Sequence, residues 1–262
     1  MPLSAADCRD LKRAKLLLEN PGLAMRVSAT LGSPIERSIG LLPKRAQTAI
    51  QQASEAAILK ALDVAVKSLG AETADRKKGS SDRAHKVAAA ASGAFGGAFG
   101  LMALSIELPL STTIMLRSIA DIAKSEGENI SHIDTKLACL TVFALGGRSG
   151  KDDAAESGYF AARVAMAGAV SEASKYLAEK GFAKAGAPAL VRLIALIASR
   201  FGIVVSEKMA LQAVPIIGAA SGAVINTLFI EHFQNMARGH FIVRRLEKVH
   251  GAEPVQQAYL AA

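Results

Sequence analysis

A chain of 262 residues, with 51% apolar and only 5% aromatic side chains, is long enough to bury a sizeable core as one large domain. Its formal charge of +8 biases it toward anionic surfaces, while two distant cysteines, Cys8 and Cys139, exclude a disulfide framework or a zinc knuckle. Abundant alanine, absent tryptophan and no sustained period-two alternation exclude a β-rich architecture and predict an all-α, multi-helix bundle.

The N-terminus has no basic start followed by an apolar stretch and a small-residue cleavage site, so no secretory signal is read and a cytoplasmic location is expected. Ser4 to Asn20 reads as a first helix, capped by Ser4 and stopped by Asn20-Pro21-Gly22. Lys12, Arg13 and Lys15 make it basic, and Leu11, Leu16, Leu17 and Leu18 supply an apolar face for packing or for a membrane surface. A short second helix ends at Gly32-Ser33-Pro34, and Pro43 opens a third that runs to about Leu69. The polar stretch 71–83, AETADRKKGSSDR, then divides an N-terminal helical region with its linker (1–83) from a glycine-rich helical core (84–262), read as two units or as one continuous domain.

That core opens with 20 uncharged residues, Val87 to Ile106, in which Gly93 pairs with Gly97 and Gly96 with Gly100 at four-residue spacing. The length can span a bilayer, but eleven of the twenty are Ala or Gly and Glu107 and Pro109 follow at once. Met209 to Ile230 repeats the pattern with Gly218 and Gly222. Such spacing lets helices approach backbone to backbone in lipid or in a protein core, so two central glycine-rich apolar hairpins are expected, either buried or membrane-inserted. Between them Ser131 to Leu145 reads as a helix closed by Gly146-Gly147, with a further helix from about Asp153 that carries Tyr159 and Arg163. The run Gly146 to Lys151 lacks the spacing and the Ser or Thr of a phosphate loop, because Asp152 stands in its place. Pro188 to Gly202 is a further apolar helix with a basic end at Arg200.

After Ile230 the polar groups come in a burst. A helix beginning near Pro215 would place Thr227, Glu231, Gln234, Asn235 and Arg238 on one face and Phe229, Phe233, Met236 and His240 on the other, with a break expected at Gly239. A shift of 114 residues sets Thr113, Arg117, Asp121 and Lys124 against Thr227, Glu231, Asn235 and Arg238. From this we expect a half-buried polar network of Glu107, Arg117, Asp121, Glu231, Asn235 and Arg238, with Arg117 meeting Glu231, because buried ions left unpaired are expensive.

Glu231, His232 and His240 are the candidate catalytic or metal-ligating groups, and Ser111, Ser118 and Ser221 the candidate nucleophiles of a hydrolase. His232 and His240 lie eight apart, on different faces of an unbroken helix, so neither a metal nor another cofactor is expected. Their bland reading is as hydrogen-bonded structural residues. Basic clusters at Lys12, Arg13, Lys15 and at Arg244, Arg245, Lys248 lie beside weakly apolar hairpins, and no nucleic-acid module accompanies them, which favours anionic membrane lipid over nucleic acid as partner.

The segments VPIIGAASGAVINTLFIEHFQNMARGHFIVRRLEKVHG, SGAFGGAFGLMALSIELPLSTTIMLRSIADIAKSEGE, CLTVFALGG, AESGYFAARVA and RFGIVVSEKMALQAVPIIGA resemble the EcsC family of bacterial proteins over roughly residues 50–260. That family is named after a protein encoded beside an ABC transporter, and the resemblance implies an accessory role to a membrane transporter. The combined expectation is a cytoplasmic protein, peripheral at the inner face of the membrane, that binds or perturbs anionic lipid or assists a transporter. The alternative is a small hydrolase or metal-dependent enzyme centred on Glu231, His232 and His240.

Overall fold

The computed structural model describes residues 3–19, 43–69, 100–147, 158–181, 186–212 and 218–262, with the side chains of 100–103 and 218–222 excepted. These residues form eight helices and no strand: α1 (Ala5–Leu18), α2 (Lys44–Ser68), α3 (Gly100–Ser125), α4 (Ile133–Leu145), α5 (Gly158–Lys180), α6 (Pro188–Gln212), α7 (Gly218–His250) and α8 (Ala252–Ala261). The protein is an all-α multi-helix bundle.

Its centre is α4. Every residue from Thr135 to Leu145 is buried, as a helix that is apolar all round requires, and α2, α3, α5, α6 and α7 pack around it. Its start differs from the expected Ser131: the Ser131 N–H donates to Asn129 Oδ1 at 3.0 Å in the preceding turn, and His132 is the N-cap. At its other end the backbone of Gly147 lies against α6, where a Cβ would stand 2.0 Å from the Arg200 carbonyl oxygen. Only a residue without a side chain permits that approach. Phe143 of α4, Phe201 of α6 and Phe229 and Phe233 of α7 then interlock, with ring centroids 5.2–6.2 Å apart. Such edge-to-face and tilted aromatic pairs contribute about 1 kcal/mol each beyond their buried area.

The other helices are layered on this centre. In α1 the Ser4 Oγ accepts from the Asp7 N–H at 3.1 Å, and the Asp7 carboxylate accepts from the Ser4 N–H at 3.0 Å, a reciprocal cap that starts the helix where the sequence places it. Leu11, Ala14 and Leu18 are buried against α7, while Leu16 is 74% exposed and does not join that face. Helix α2 follows Pro43 as expected and lays an alanine-rich face, Ala53, Ala57, Ala61 and Ala65, on α3 and α6. Both N-terminal helices contribute to the same apolar core as the rest.

Besides the start of α4, three helix boundaries differ from expectation. Helix α6 continues through Gly202 to Gln212, because Gly202 faces Gln51 and Ser54 of α2 and closes nothing. The uncharged run Met209–Ile230 is divided, its first four residues ending α6 and Gly218 opening α7; Pro215 lies outside the described residues. Helix α7 runs unbroken through Gly239. A Cβ there would stand 2.5 Å from Leu18 Cγ and 3.0 Å from the Ala14 oxygen, so this glycine serves the close seating of α1. The region 87–99, with Gly93, Gly96 and Gly97, lies outside the described residues, as do the helix before Pro34, the linker 71–83 and the loop before Gly158. Gly100, Gly218 and Gly222 fall within the first turns of α3 and α7.

Among the described residues one helix, α6, is long and apolar enough to cross a membrane, and half of its most apolar window is buried inside the protein. Of the blocks at 87–106 and 209–230, on which that reading rested in the sequence, only 100–106, 209–212 and 218–230 lie within the described residues.

Candidate functional site

Helices α3 and α7 carry most of the polar groups, and they lie side by side in parallel. Bonded partners on or just beyond them keep a nearly constant offset in sequence: Ser118 with Gln234 and Glu128 with Arg244 are 116 apart, Glu126 with Arg245 119 apart. Along this seam the charges sort into a buried pair near one end and a set of tethers at the other.

At the first end, Lys208 of α6 is 2% exposed. Its Nζ donates to Glu107 Oε1 at 2.8 Å and to Asn226 Oδ1 at 3.0 Å, and sits 4.8 Å from the Phe229 ring centroid. Glu107, expected in a network with Arg117 and Asp121, therefore has Lys208 as its partner. The sequence reading placed Lys208 in the Ser206-Glu207-Lys208 run after the apolar helix and gave it no partner, although a cation beside a long apolar run is itself a signal of a buried pair.

At the other end, Glu128 just beyond α3 is buried and collects three donors. Thr135 Oγ1 donates to Oε2 at 3.1 Å, Arg244 Nε to Oε1 at 3.0 Å, and Lys248 Nζ lies 2.8 Å from Oε2. Burial pushes this carboxyl up, but the hydrogen bonds and charges of Lys248 and Arg244 outweigh it and hold Glu128 below the ordinary carboxylate value. Arg245 bonds both Glu126 at 2.9 Å and Asp10 of α1 at 2.7 Å. Arg244, Arg245 and Lys248, expected as a membrane-facing cluster, are thus each tied to a carboxylate that joins helix ends.

His232 and His240 face different surroundings. His232 Nε2 lies 3.0 Å from the Gly146 carbonyl oxygen at the end of α4, an acceptor that makes this nitrogen the donor. His240 Nδ1 lies 2.9 Å from the Tyr159 hydroxyl of α5. Arg163 donates from Nη1 to the same hydroxyl at 3.3 Å and forms a two-pronged pair with Glu247 at 2.7 and 2.9 Å. Burial, and then the charges of Arg163 and Arg244, hold the His240 imidazole well below its ordinary pKa, so it is neutral. Burial likewise pushes the Tyr159 phenol far up. Sequence spacing marked Tyr159 and Arg163 as neighbours on one helix, but it carried no sign of His240 or Glu247 as their partners.

The structure therefore does not assemble Glu231, His232 and His240 into one centre. Unbroken helix separates the two imidazoles by about 12 Å along the axis, and among the described residues no group of three or more His, Cys, Asp or Glu is placed to hold a metal ion. Of the candidate nucleophiles, the Ser111 hydroxyl donates to the Leu108 carbonyl at 3.1 Å and Ser118 Oγ accepts from Gln234 at 2.7 Å. The side chain of Ser221 lies outside the described ones. Gln234, assigned by spacing to the polar face, is buried through that bond to Ser118. Asn235 accepts from Arg238 Nη1 at 3.1 Å; Arg117 is exposed on α3, and Asp121 and Glu231 are half-buried on α3 and α7.

The remaining basic surface is on α1. Arg9, Lys12 and Arg13 are exposed there, with Leu16 beside them, whereas Lys15 turns inward to the Leu260 carbonyl at 3.4 Å and the Tyr259 ring. Arg9 was not singled out from the sequence, although its spacing from Lys12, Arg13 and Leu16 is that of one helical stripe.

These features define a helical bundle built on a buried central helix, with ionic tethers along one seam and a basic helix on its outside. The chain belongs to the EcsC protein family, whose sequence pattern matches residues 6–246. Neither a curated protein nor a solved structure matches it.

Proposed function

We propose that the protein is a peripheral membrane protein that binds anionic lipid through the outer face of α1, acting at the inner surface of a bacterial membrane, as the family's transporter association would require. One observation carries this reading: Arg9, Lys12, Arg13 and Leu16 fall at positions i, i+3, i+4 and i+7, three exposed cations around an exposed leucine, on a helix whose opposite face is clamped to α7. A stripe of this kind sets its cations among lipid phosphates and lowers its leucine into the headgroup layer. The attraction is about 1 kcal/mol per basic side chain and falls with salt.

Flotation of the purified protein with phosphatidylglycerol and with phosphatidylcholine vesicles tests it. Binding to the anionic vesicles alone, reversed by high salt and weakened about 30-fold by Lys12→Gln with Arg13→Gln, is the expected result. No binding to anionic vesicles defeats the reading. Binding that survives both salt and alkaline carbonate defeats it too, because apolar helices would then be inserted in place of a docked basic face.

A further inference from the structure

Between α4 and α5, with α7 as its floor, lies a cleft of about 670 Å³. The volume is in the range of small-molecule sites. Its walls divide by chemistry. Ala138 of α4 and Met166, Ala167 and Val170 of α5 line it with apolar groups, while Arg163 of α5 and His240 and Arg244 of the floor bring polar ones.

His240 is the informative member. The residue is 3% exposed, and its Nε2 has no hydrogen-bond partner. Its protonation follows from its neighbours. Arg163 can only donate, so the Tyr159 oxygen accepts from it; were that oxygen also to accept from His240 Nδ1, the buried phenolic proton would itself lack an acceptor, so we assign it to His240 Nδ1. A neutral imidazole accepting at Nδ1 carries its proton at Nε2. The unpartnered group is therefore an N–H donor, and a buried donor without an acceptor is destabilising. Arg244 adds to this: of its five N–H groups, Nε alone has a hydrogen-bond acceptor among the described residues, Glu128. The single carboxylate among the lining residues, Asp134, accepts from the Ser174 hydroxyl at Oδ1, and the cations Arg163, Lys175 and Arg244 outnumber it in the lining.

We infer that this cleft binds an amphipathic acid, an oxyanion on an apolar body, whose oxygen accepts from His240 Nε2–H and from the Arg244 guanidinium while the body lies along Met166 and Val170. The site is separate from the basic face of α1 and does not rest on it. The oxyanion can arrive on a free fatty acid or on an acidic lipid drawn from a bilayer, since both present the same chemistry.

The test uses the full chain with decanoate as probe and decanol as its uncharged counterpart. Calorimetry measures affinity, and long-range proton–nitrogen spectra of the imidazole report the tautomer directly. The expected results are an Nε2–H tautomer whose signal shifts on addition of decanoate, and decanol binding about tenfold weaker or less. Ala167→Trp fills the cleft from its exposed wall and leaves the core intact; together with His240→Phe, it is expected to weaken decanoate at least tenfold. Competition by phosphatidylglycerol vesicles assigns the bilayer as source, and absence of competition assigns a free solute. The inference is overturned by an Nδ1–H tautomer or by an imidazole signal that decanoate leaves unmoved, which would mean ordered water alone at Nε2. Equal affinity for decanol, or undiminished binding to folded Ala167→Trp, overturns it as well.

Discussion

Lys208→Met tests the buried pair at the centre of the bundle. The wild-type ammonium is 2% exposed and its partner Glu107 11%, so neither ion is solvated well enough to stand alone. Methionine matches the lysine stem in length and keeps the contact with Phe229, but it leaves the Glu107 carboxylate with neither its cation nor its 2.8 Å bond, and the Asn226 oxygen without its donor at 3.0 Å. Removing one member of such a pair costs about 3–5 kcal/mol, whereas replacing both by apolar groups is often neutral. For a chain of this size that loss lowers the melting temperature by about 10 °C. Urea unfolding followed by circular dichroism should show Lys208→Met destabilised by about 3 kcal/mol, with Lys208→Met/Glu107→Leu recovering most of it and retaining a deficit of about 1 kcal/mol for the lost Lys208–Asn226 bond. A double variant no more stable than the single, or a single that costs less than about 1 kcal/mol, would refute the pairing as the source of the effect.

Three further outcomes follow from the packing and the charges. Gly147→Ala would drive a methyl into the Arg200 backbone, and Gly239→Ala one into Leu18 and the Ala14 carbonyl. Both should destabilise by about 1–3 kcal/mol, but hydrogen exchange should show the second loosening α1 selectively. His240 is held neutral in the folded chain well below its ordinary 6.5, so below that pH the unfolded chain takes up a proton that the folded one refuses. Stability is thus complete above about pH 6.5 and falls as the medium is acidified, by about 1.4 kcal/mol per pH unit from this group. Denaturation between about pH 6 and pH 5 should show a shallower decline in His240→Phe than in wild type, and equal slopes would contradict the assignment. We also expect Arg117 to meet Glu231, since α3 and α7 run in parallel with these positions near the offset of the bonded partners. Arg117→Glu and Glu231→Arg should each destabilise and the double reversal restore; a double variant no better than either single rejects the pair.

What the sequence by itself determined is local. The Ser4 cap with Asp7, the start after Pro43 and the helical content follow from groups within a few residues of one another, and such signals survive translation into structure unchanged. The two imidazoles could also be placed on different faces of α7 by counting residues. Tertiary structure alone decided the meaning of the glycines and the partners of the ions. Gly202 and Gly239 read as stops because glycine ends helices in isolation, yet both stand mid-helix: Gly202 is packed against α2 at ordinary contact distance, and at Gly239 the seating of α1 needs the missing side chain. Arg244, Arg245 and Lys248 read as a free basic face because their carboxylates, Glu128, Glu126 and Asp10, stand more than a hundred residues away in the chain. The partners of Lys208, Tyr159 and Glu247 escaped notice for the same reason: a buried polar group must find a partner, but which one it finds is set by helices that meet only after the chain has folded.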